Sequence, residues 1–284
     1  MSGLGRIITA IVTPFDDAYR VDEAAFVRLL HHLADHGSDG FVVAGSTGEG
    51  STLSDEEHLA LVDLAVREKP AGTTIIANAG SNDTRHAIHL TEKATELGVD
   101  ATLAVVGYYN RPNRRGMVQH YRTVAAATDK PIVLYNIPSR TTVNMDNELL
   151  AELAQIEHVD AVKQANDADL QLIDGLDVYA GNDDILARVL DMGGAGGICV
   201  ASHLVGDAMA EMVTATPERR VEIDARFHDL YRVLGVTTNP IPIKAALEMA
   251  GHPVGGLRMP LVEADDAERA QVRGVLADLG LLAA

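Results

Sequence analysis

The feature that most restricts what this chain can fold into is an alternation repeated eight times. A short run rich in Val, Ile and Ala is followed by a polar loop and then by a longer stretch with helical spacing. The runs cover residues 7–12, 40–44, 74–79, 101–106, 131–136, 159–163, 177–181 and 196–200. Most are almost wholly apolar, the pattern of parallel strands covered on both faces. Their starts lie 18 to 34 residues apart, room for one crossover helix per unit. Eight such units in a row predict an α/β chain closed into a (β/α)8 barrel rather than an open sheet.

Local signals agree with that reading. Ser54-Asp55-Glu56-Glu57 is a capping box ahead of Leu59, Leu61, Val62 and Leu64, and Asn82-Asp83 precedes Ile88, Leu90 and Ala94. Gly37 and Gly98 serve as helix stops. The eighth helix is expected to end near Thr214, leaving 70 residues. Pro217 opens one helical segment, Asn239-Pro240 opens another that includes Lys244 and Met249, and residues 264–281 form the last. No linker rich in Ser, Gly or Pro intervenes. The expected organisation is therefore a barrel over 1–215 carrying the active site, with a packed helical region over 216–284.

Composition removes several classes of function. With 284 residues, 47% of them hydrophobic, the chain can bury a core without disulfides or a structural metal. A formal net charge of −18 argues against nucleic acid and anionic membrane as partners. Cys199 is the sole cysteine, so internal disulfides and multi-cysteine metal sites are excluded, and its place within the last strand reads as core. The apolar run after Arg6 is too short for a signal peptide or a membrane span, and the expected compartment is the cytoplasm.

Barrels of this class place their active sites at the carboxyl ends of the strands. Strand two leads into Gly45-Ser46-Thr47-Gly48-Glu49, strand four into Tyr108-Tyr109-Asn110, strand five into Tyr135-Asn136-Ile137-Pro138-Ser139-Arg140, strand six into Lys163 and strand seven into Gly181-Asn182-Asp183. Lys163 closes an apolar run. Burial there disfavours an ammonium and suits an amine that attacks a carbonyl; a snorkelling or ion-paired lysine fits the same position. Ser46 and Thr47, with nearby backbone N–H groups before a capped helix, form either a cradle for a small carboxylate or a tight structural turn. Tyr135 and Tyr109 fit proton transfer or packing, and Arg140 fits a bidentate carboxylate clamp or a surface position.

Negative signals matter as much. The glycines at 193, 194, 196 and 197 precede a strand, the reverse of the dinucleotide fingerprint, so no nicotinamide cofactor is expected. The loops after strands seven and eight carry Asn182, Asp183, Asp184, Ser202 and His203 with no adjacent Lys or Arg, which argues against a phosphorylated substrate. Of 11 histidines only His203 ends a strand, and His31-His32 read as surface positions, so ligands for a metal-dependent aldolase are lacking.

In order along the chain, Gly45-Ser46-Thr47-Gly48-Glu49, Tyr108-Tyr109-Asn110-Arg111-Pro112, Tyr135-Asn136-Ile137-Pro138-Ser139-Arg140-Thr141, Lys163 and Asn239-Pro240-Ile241-Pro242-Ile243-Lys244 resemble the dihydrodipicolinate synthase family, within the superfamily it shares with N-acetylneuraminate lyase. The resemblance spans essentially the whole chain. It implies a pyruvate-dependent Schiff-base lyase acting in lysine and diaminopimelate synthesis, without a cofactor, and assembled as a homotetramer that is a dimer of dimers. Carried over by position, Lys163 forms the imine and Tyr135 transfers protons. Ser46 and Thr47 bind the pyruvate carboxylate, and Thr47 links Tyr135 to a Tyr109 supplied by a neighbouring subunit. Arg140 receives the carboxylate of the aldehyde, aspartate semialdehyde, while Gly181 and Ile198 line the pyruvate end.

Gly107, Thr142 and Gln164 depart from that pattern, standing where the family commonly has a proline, a glycine and an acid. The family's lysine-binding site is matched by His58, Asn82 and Tyr108, but Asp55 and His86 stand where a histidine and a glutamate are common. Weak or absent inhibition by lysine is the expectation. Two rival functions use the same barrel: an aldolase for a sialic acid or a 2-keto-3-deoxy sugar acid, and a non-catalytic pyruvate-binding protein. Arg140 argues against the first, and the joint presence of Lys163, Tyr135, Thr47 and Tyr109 against the second.

Overall fold

The structure, a computed structural model, describes residues 3–283. Eight parallel strands close into a barrel in sequence order: β1 (Ile7–Ala10), β2 (Gly40–Val43), β3 (Thr74–Asn78), β4 (Ala101–Val105), β5 (Ile132–Asn136), β6 (Val159–Gln164), β7 (Asp177–Ala180) and β8 (Gly196–Cys199), with β8 pairing back onto β1. The barrel helices are α1 (Glu23–Asp35), α2 (Asp55–Glu68), α3 (Thr84–Leu97), α4 (Arg114–Ala125), the short α5 (Pro138–Thr141), α6 (Asn147–Leu153), α7 (Leu186–Asp191) and α8 (Ser202–Thr214). Three further helices follow: α9 (Pro217–Leu234), α10 (Ile241–Met249) and α11 (Asp266–Leu279).

The expected helix starts form as read. The Ser54 hydroxyl accepts from Glu57 N while the Glu57 carboxylate accepts from Ser54 N, a complete capping box on α2. Asp83 caps α3, and Gly98 ends it in the left-handed region at φ 86°. Because side chains alternate along a strand, Ile8, Ala10, Val42, Leu103, Val133, Tyr135, Ala161 and Ile198 share the barrel interior. Lys163 lies two residues beyond Ala161 and so points into the same interior.

Strand ends differ from the apolar runs in instructive ways. Ile11 and Val12 are buried but lie beyond β1, and β6 continues one residue past Lys163. Gln164 extends the ladder because it pairs in register with both Asn136 and Ala180. Its side-chain carbonyl also accepts from Asn136 Nδ2 at 3.0 Å and from Asn166 N at 3.1 Å. An acid at this position would carry charge into that buried amide network. Thr142 caps α5 in the left-handed region at φ 60°, a conformation that favours glycine.

The helical region packs onto one side of the barrel. α9 lies against α7, α8 and the turn at 183–185, and α10 sits between α8, α9 and α11. This brings His228, Tyr231 and Arg232 of α9, and Asn239 just before α10, over the open end of the barrel. Among the described residues no helix is long and apolar enough to cross a membrane.

Candidate active site

A cavity of about 770 Å³ opens at the carboxyl end of the barrel, and Lys163, Tyr135, Ser46, Thr47, Arg140 and Gly181 all line it. The sequence scatters these residues over the ends of four strands, and the closed barrel gathers them. Ile198 is fully buried in the barrel interior, in one cluster with Val42, Leu103 and Tyr135, which line the cavity. Lys163 Nζ lies 4.5 Å from the centroid of the Tyr135 ring, and only 5% of Lys163 is exposed. The amine is thus inside the cavity and not snorkelling to bulk water.

The loop after β2 is folded tightly back on its strand. Gly50 N donates to Gly45 O at 3.0 Å, and a Cβ at Gly50 would stand 1.9 Å from Ala44 O, which excludes any side chain there. The Thr13 hydroxyl donates to Gly48 O at 2.6 Å. Ser46 is left exposed to the cavity, whereas Thr47 is buried. Thr47 Oγ1 accepts from Asn239 Nδ2 at 2.9 Å, a partner that sequence reasoning did not assign although the Asn239-Pro240 motif was conspicuous.

Arg140 follows the Pro138 turn and donates from Nη2 to Asn239 O at 3.1 Å. Its guanidinium is exposed at the mouth, free to turn a second N–H pair toward a carboxylate. Asp183 accepts from Val200 N at 2.9 Å and from Ala201 N at 3.1 Å, and so ties the loop after β7 to that after β8. Burial pushes the Asp183 carboxyl above its usual range, against the pull of those N–H groups.

The structure corrects three placements. Arg232, from α9, lines the same cavity, so the lack of a basic residue near strands seven and eight in sequence does not hold in space; its guanidinium reaches Asp229 at 2.9 Å. His203 does not end a strand: it lies in the first turn of α8, buried, with Nε2 accepting from Val12 N at 3.2 Å and Nδ1 donating to Val200 O at 2.8 Å. His32 is half-buried, its ring stacked between those of His36 and His252 at 4.2 and 4.1 Å. The histidine that does reach the cavity is His228, bonded to Asp224 at 2.9 Å. Helices that fold back from another part of the chain leave no mark at the strand ends, so neither α9 side chain was legible.

Tyr109 is not at this cavity within one protomer. It sits at φ 68° with 91% of its surface exposed. Tyr108 beside it lines a second cavity of about 490 Å³ that adjoins the first and shares Ser46, Tyr135, Arg140 and Asn239 with it. His58, His86 and Asp55 line this second cavity as well. His86 Nε2 contacts Asp55 Oδ1 at 3.0 Å and Nδ1 meets Ser81 Oγ at 3.1 Å, while Asn82 Nδ2 donates to Tyr108 O at 3.3 Å. Burial holds the His58 imidazole below its ordinary pKa. Among the described residues no group of three or more His, Cys, Asp or Glu side chains is placed to hold a metal ion.

Residues 3–279 match the model of the dihydrodipicolinate synthetase family. A 4-hydroxy-tetrahydrodipicolinate synthase from Cyanothece sp. is 41% identical, over 99% of this chain and 100% of its own. Among solved structures, a lysine-bound dihydrodipicolinate synthase from Cyanidioschyzon merolae superimposes with a TM-score of 0.93 at 39% identity, covering 99% of each chain. A chloride-inhibited dihydrodipicolinate synthase from Acinetobacter baumannii, complexed with pyruvate, superimposes with a TM-score of 0.95 at 34% identity, over 98% of this chain and 100% of that one.

Proposed function

The chain belongs to the dihydrodipicolinate synthetase family, an enzyme of lysine and diaminopimelate synthesis that condenses pyruvate with L-aspartate 4-semialdehyde, and we propose that Lys163 carries this reaction as an imine. The observation that carries the assignment of roles is the Lys163 amine 4.5 Å over the Tyr135 ring, inside a cavity that Ser46 and Thr47 also line.

The neutral amine of Lys163 attacks C2 of pyruvate, and loss of water leaves a protonated imine. The pyruvate carboxylate lies against Ser46, Thr47 and the N–H groups of their loop, a short set of donors aimed at one anion. The cationic imine withdraws electrons from C3, so a methyl proton leaves and an enamine forms; Tyr135 is the group within reach to carry it. The enamine carbon attacks the aldehyde of the semialdehyde, whose carboxylate Arg140 holds, and the new alkoxide takes a proton back. The amine of the same molecule then attacks C2 and expels Lys163. The ring closes as 4-hydroxy-tetrahydrodipicolinate, and the other products are the water lost at imine formation and the proton shed by the semialdehyde's ammonium group. No electrons are exchanged with an outside acceptor, so the sequence of steps requires no cofactor.

The assembly belongs to the same proposal. With Tyr109 turned outward at the rim, a homotetramer built as a dimer of dimers, in the cytoplasm, would let one subunit complete its neighbour's proton path through Thr47. Borohydride reduction in the presence of pyruvate, followed by peptide mass mapping, tests the chemistry. A pyruvate adduct on Lys163 is expected, and an enzyme that turns over without one refutes the imine.

A further inference from the structure

We propose that the buried ion pair between Glu49 and Lys244 is a positioning device for the pyruvate carboxylate, fixing the loop of Ser46 and Thr47 against the first turn of α10. The inference rests on the assignment of that loop to pyruvate.

Glu49 Oε1 stands 2.6 Å from Lys244 Nζ, and the two side chains are 0% and 2% exposed. Each member also holds backbone: Lys244 Nζ donates to Gly256 O at 2.7 Å, and Glu49 Oε2 accepts from Arg258 N at 2.9 Å. The ammonium also lies 4.3 Å over the Phe15 ring. None of these atoms belongs to the proposed chemistry, yet the pair sits next to it in both segments. Thr47 is two residues before Glu49, and Asn239, whose amide holds the Thr47 hydroxyl at 2.9 Å, is five before Lys244. Lys244 N donates to Pro240 O at 3.0 Å, so one helical turn carries both contacts. The loop and the helix are therefore joined by two rungs, one at the carboxylate-binding hydroxyl and one just behind it.

The conformation of Glu49 favours this reading over a purely stabilising one. Its backbone is left-handed at φ 53°, a region that a non-glycine residue enters at some energetic penalty, and that turn aims the carboxylate at α10. A buried ion pair is weak as a source of stability: replacing both members by uncharged groups of similar volume is often close to neutral, whereas removing one strands the other. What an ion pair supplies that an apolar contact does not is direction, and a loop that must hold a carboxylate within tenths of an ångström needs direction.

The test is the double substitution Glu49→Gln with Lys244→Met, which strands neither charge. We expect a folded, assembled enzyme whose melting temperature stays close to that of the parent. Its KM for pyruvate should rise about tenfold, the size expected of a small misplacement of a binding group, with kcat and the KM for the semialdehyde nearly unchanged. A folded variant with an unaltered pyruvate KM overturns the proposal, as does one that loses only stability or kcat. Should the double variant fail to fold, amide exchange in the unaltered enzyme decides. Trapping the imine should slow exchange across α10 but not across α11, because coupling is reciprocal, and equal protection before and after trapping overturns the proposal. If instead no adduct forms on Lys163 of the unaltered enzyme, the proposed function has failed rather than this inference.

Discussion

Tyr135 and Lys163 are register partners on adjacent strands, and the Lys163 amine stands 4.5 Å above the centre of the Tyr135 ring. Neighbours in register project from the same face of a sheet, so their proximity is dictated by the barrel itself and not by a flexible loop. Lys163→Ala should therefore abolish both turnover and the borohydride-trapped adduct. Tyr135→Phe keeps the ring but loses the proton, and kcat should fall about 10²- to 10⁴-fold, the usual worth of a placed acid or base, while the adduct still forms. A Tyr135→Phe enzyme with ordinary kcat removes the phenol from the proton path.

Arg140 lines the mouth of the cavity, and the role proposed for its charge is to hold the carboxylate of the semialdehyde rather than a sugar acid. Arg140→Ala should raise the KM for aspartate semialdehyde by roughly 10- to 100-fold, the loss of hydrogen bonds to a charged group. Imine formation with pyruvate should proceed as before. The same guanidinium donates to Asn239 O, so Arg140→Lys is expected to recover only part of the loss, lacking the planar fork. Faster turnover of a 2-keto-3-deoxy sugar acid than of the semialdehyde by the parent enzyme would contradict the role given to Arg140.

Tyr109, 91% exposed in one protomer, makes no contribution to the packing of its own barrel. Tyr109→Phe should leave the melting temperature and the assembly state, read by sedimentation, unaltered, while most activity is lost. Retained activity in an assembled variant shows that the shared tyrosine is not part of the proton relay.

Much of this architecture was legible because it repeats. Parallel strands buried on both faces leave apolar runs, and the residues that follow them must sit at one end of a closed barrel, so Lys163, Tyr135, Thr47 and Arg140 could be placed from order alone. What could not be placed arrives from outside that repeat. Asn239 reaches Thr47 across 192 residues, and Glu49 meets Lys244 across a similar span, contacts that follow from how α9 and α10 fold back. Local spacing carries no trace of them.

The second cavity is lined by His58, His86 and Tyr108, which the resemblance assigns to a lysine site. Where a lysine ligand would require free anionic and neutral partners, Asp55 is engaged by His86 at 3.0 Å, and His86 is held in turn at Ser81. The proposal retained from the sequence is weak or absent feedback inhibition, despite the match at His58, Asn82 and Tyr108. Steady-state rates at saturating pyruvate should be nearly flat as lysine is raised to the millimolar range. Half-inhibition at submillimolar lysine would show that Asp55 and His86 substitute for the family's usual pair.

Acid sensitivity should trace in part to His203. Its Nε2 accepts from Val12 N and its Nδ1–H donates to Val200 O, so the neutral ring satisfies two backbone groups and has no room for a second proton. Burial lowers its pKa from 6.5 to about 4. Between those values the unfolded chain binds a proton that the folded chain does not, so unfolding gains free energy as pH falls. The stability attached to this group is therefore complete above about pH 6.5, declines from there to about pH 4, and changes no further below; at roughly 1.4 kcal/mol per pH unit the whole effect is on the order of 3 to 4 kcal/mol. His32, also lowered to about 4 by burial and by its neighbours His252 and His36, adds to the same slope. His203→Gln can keep both hydrogen bonds without titrating. Urea unfolding at pH 7 and pH 5 should show a clearly smaller difference for this variant than for the parent, and an unchanged difference would assign the slope to other groups.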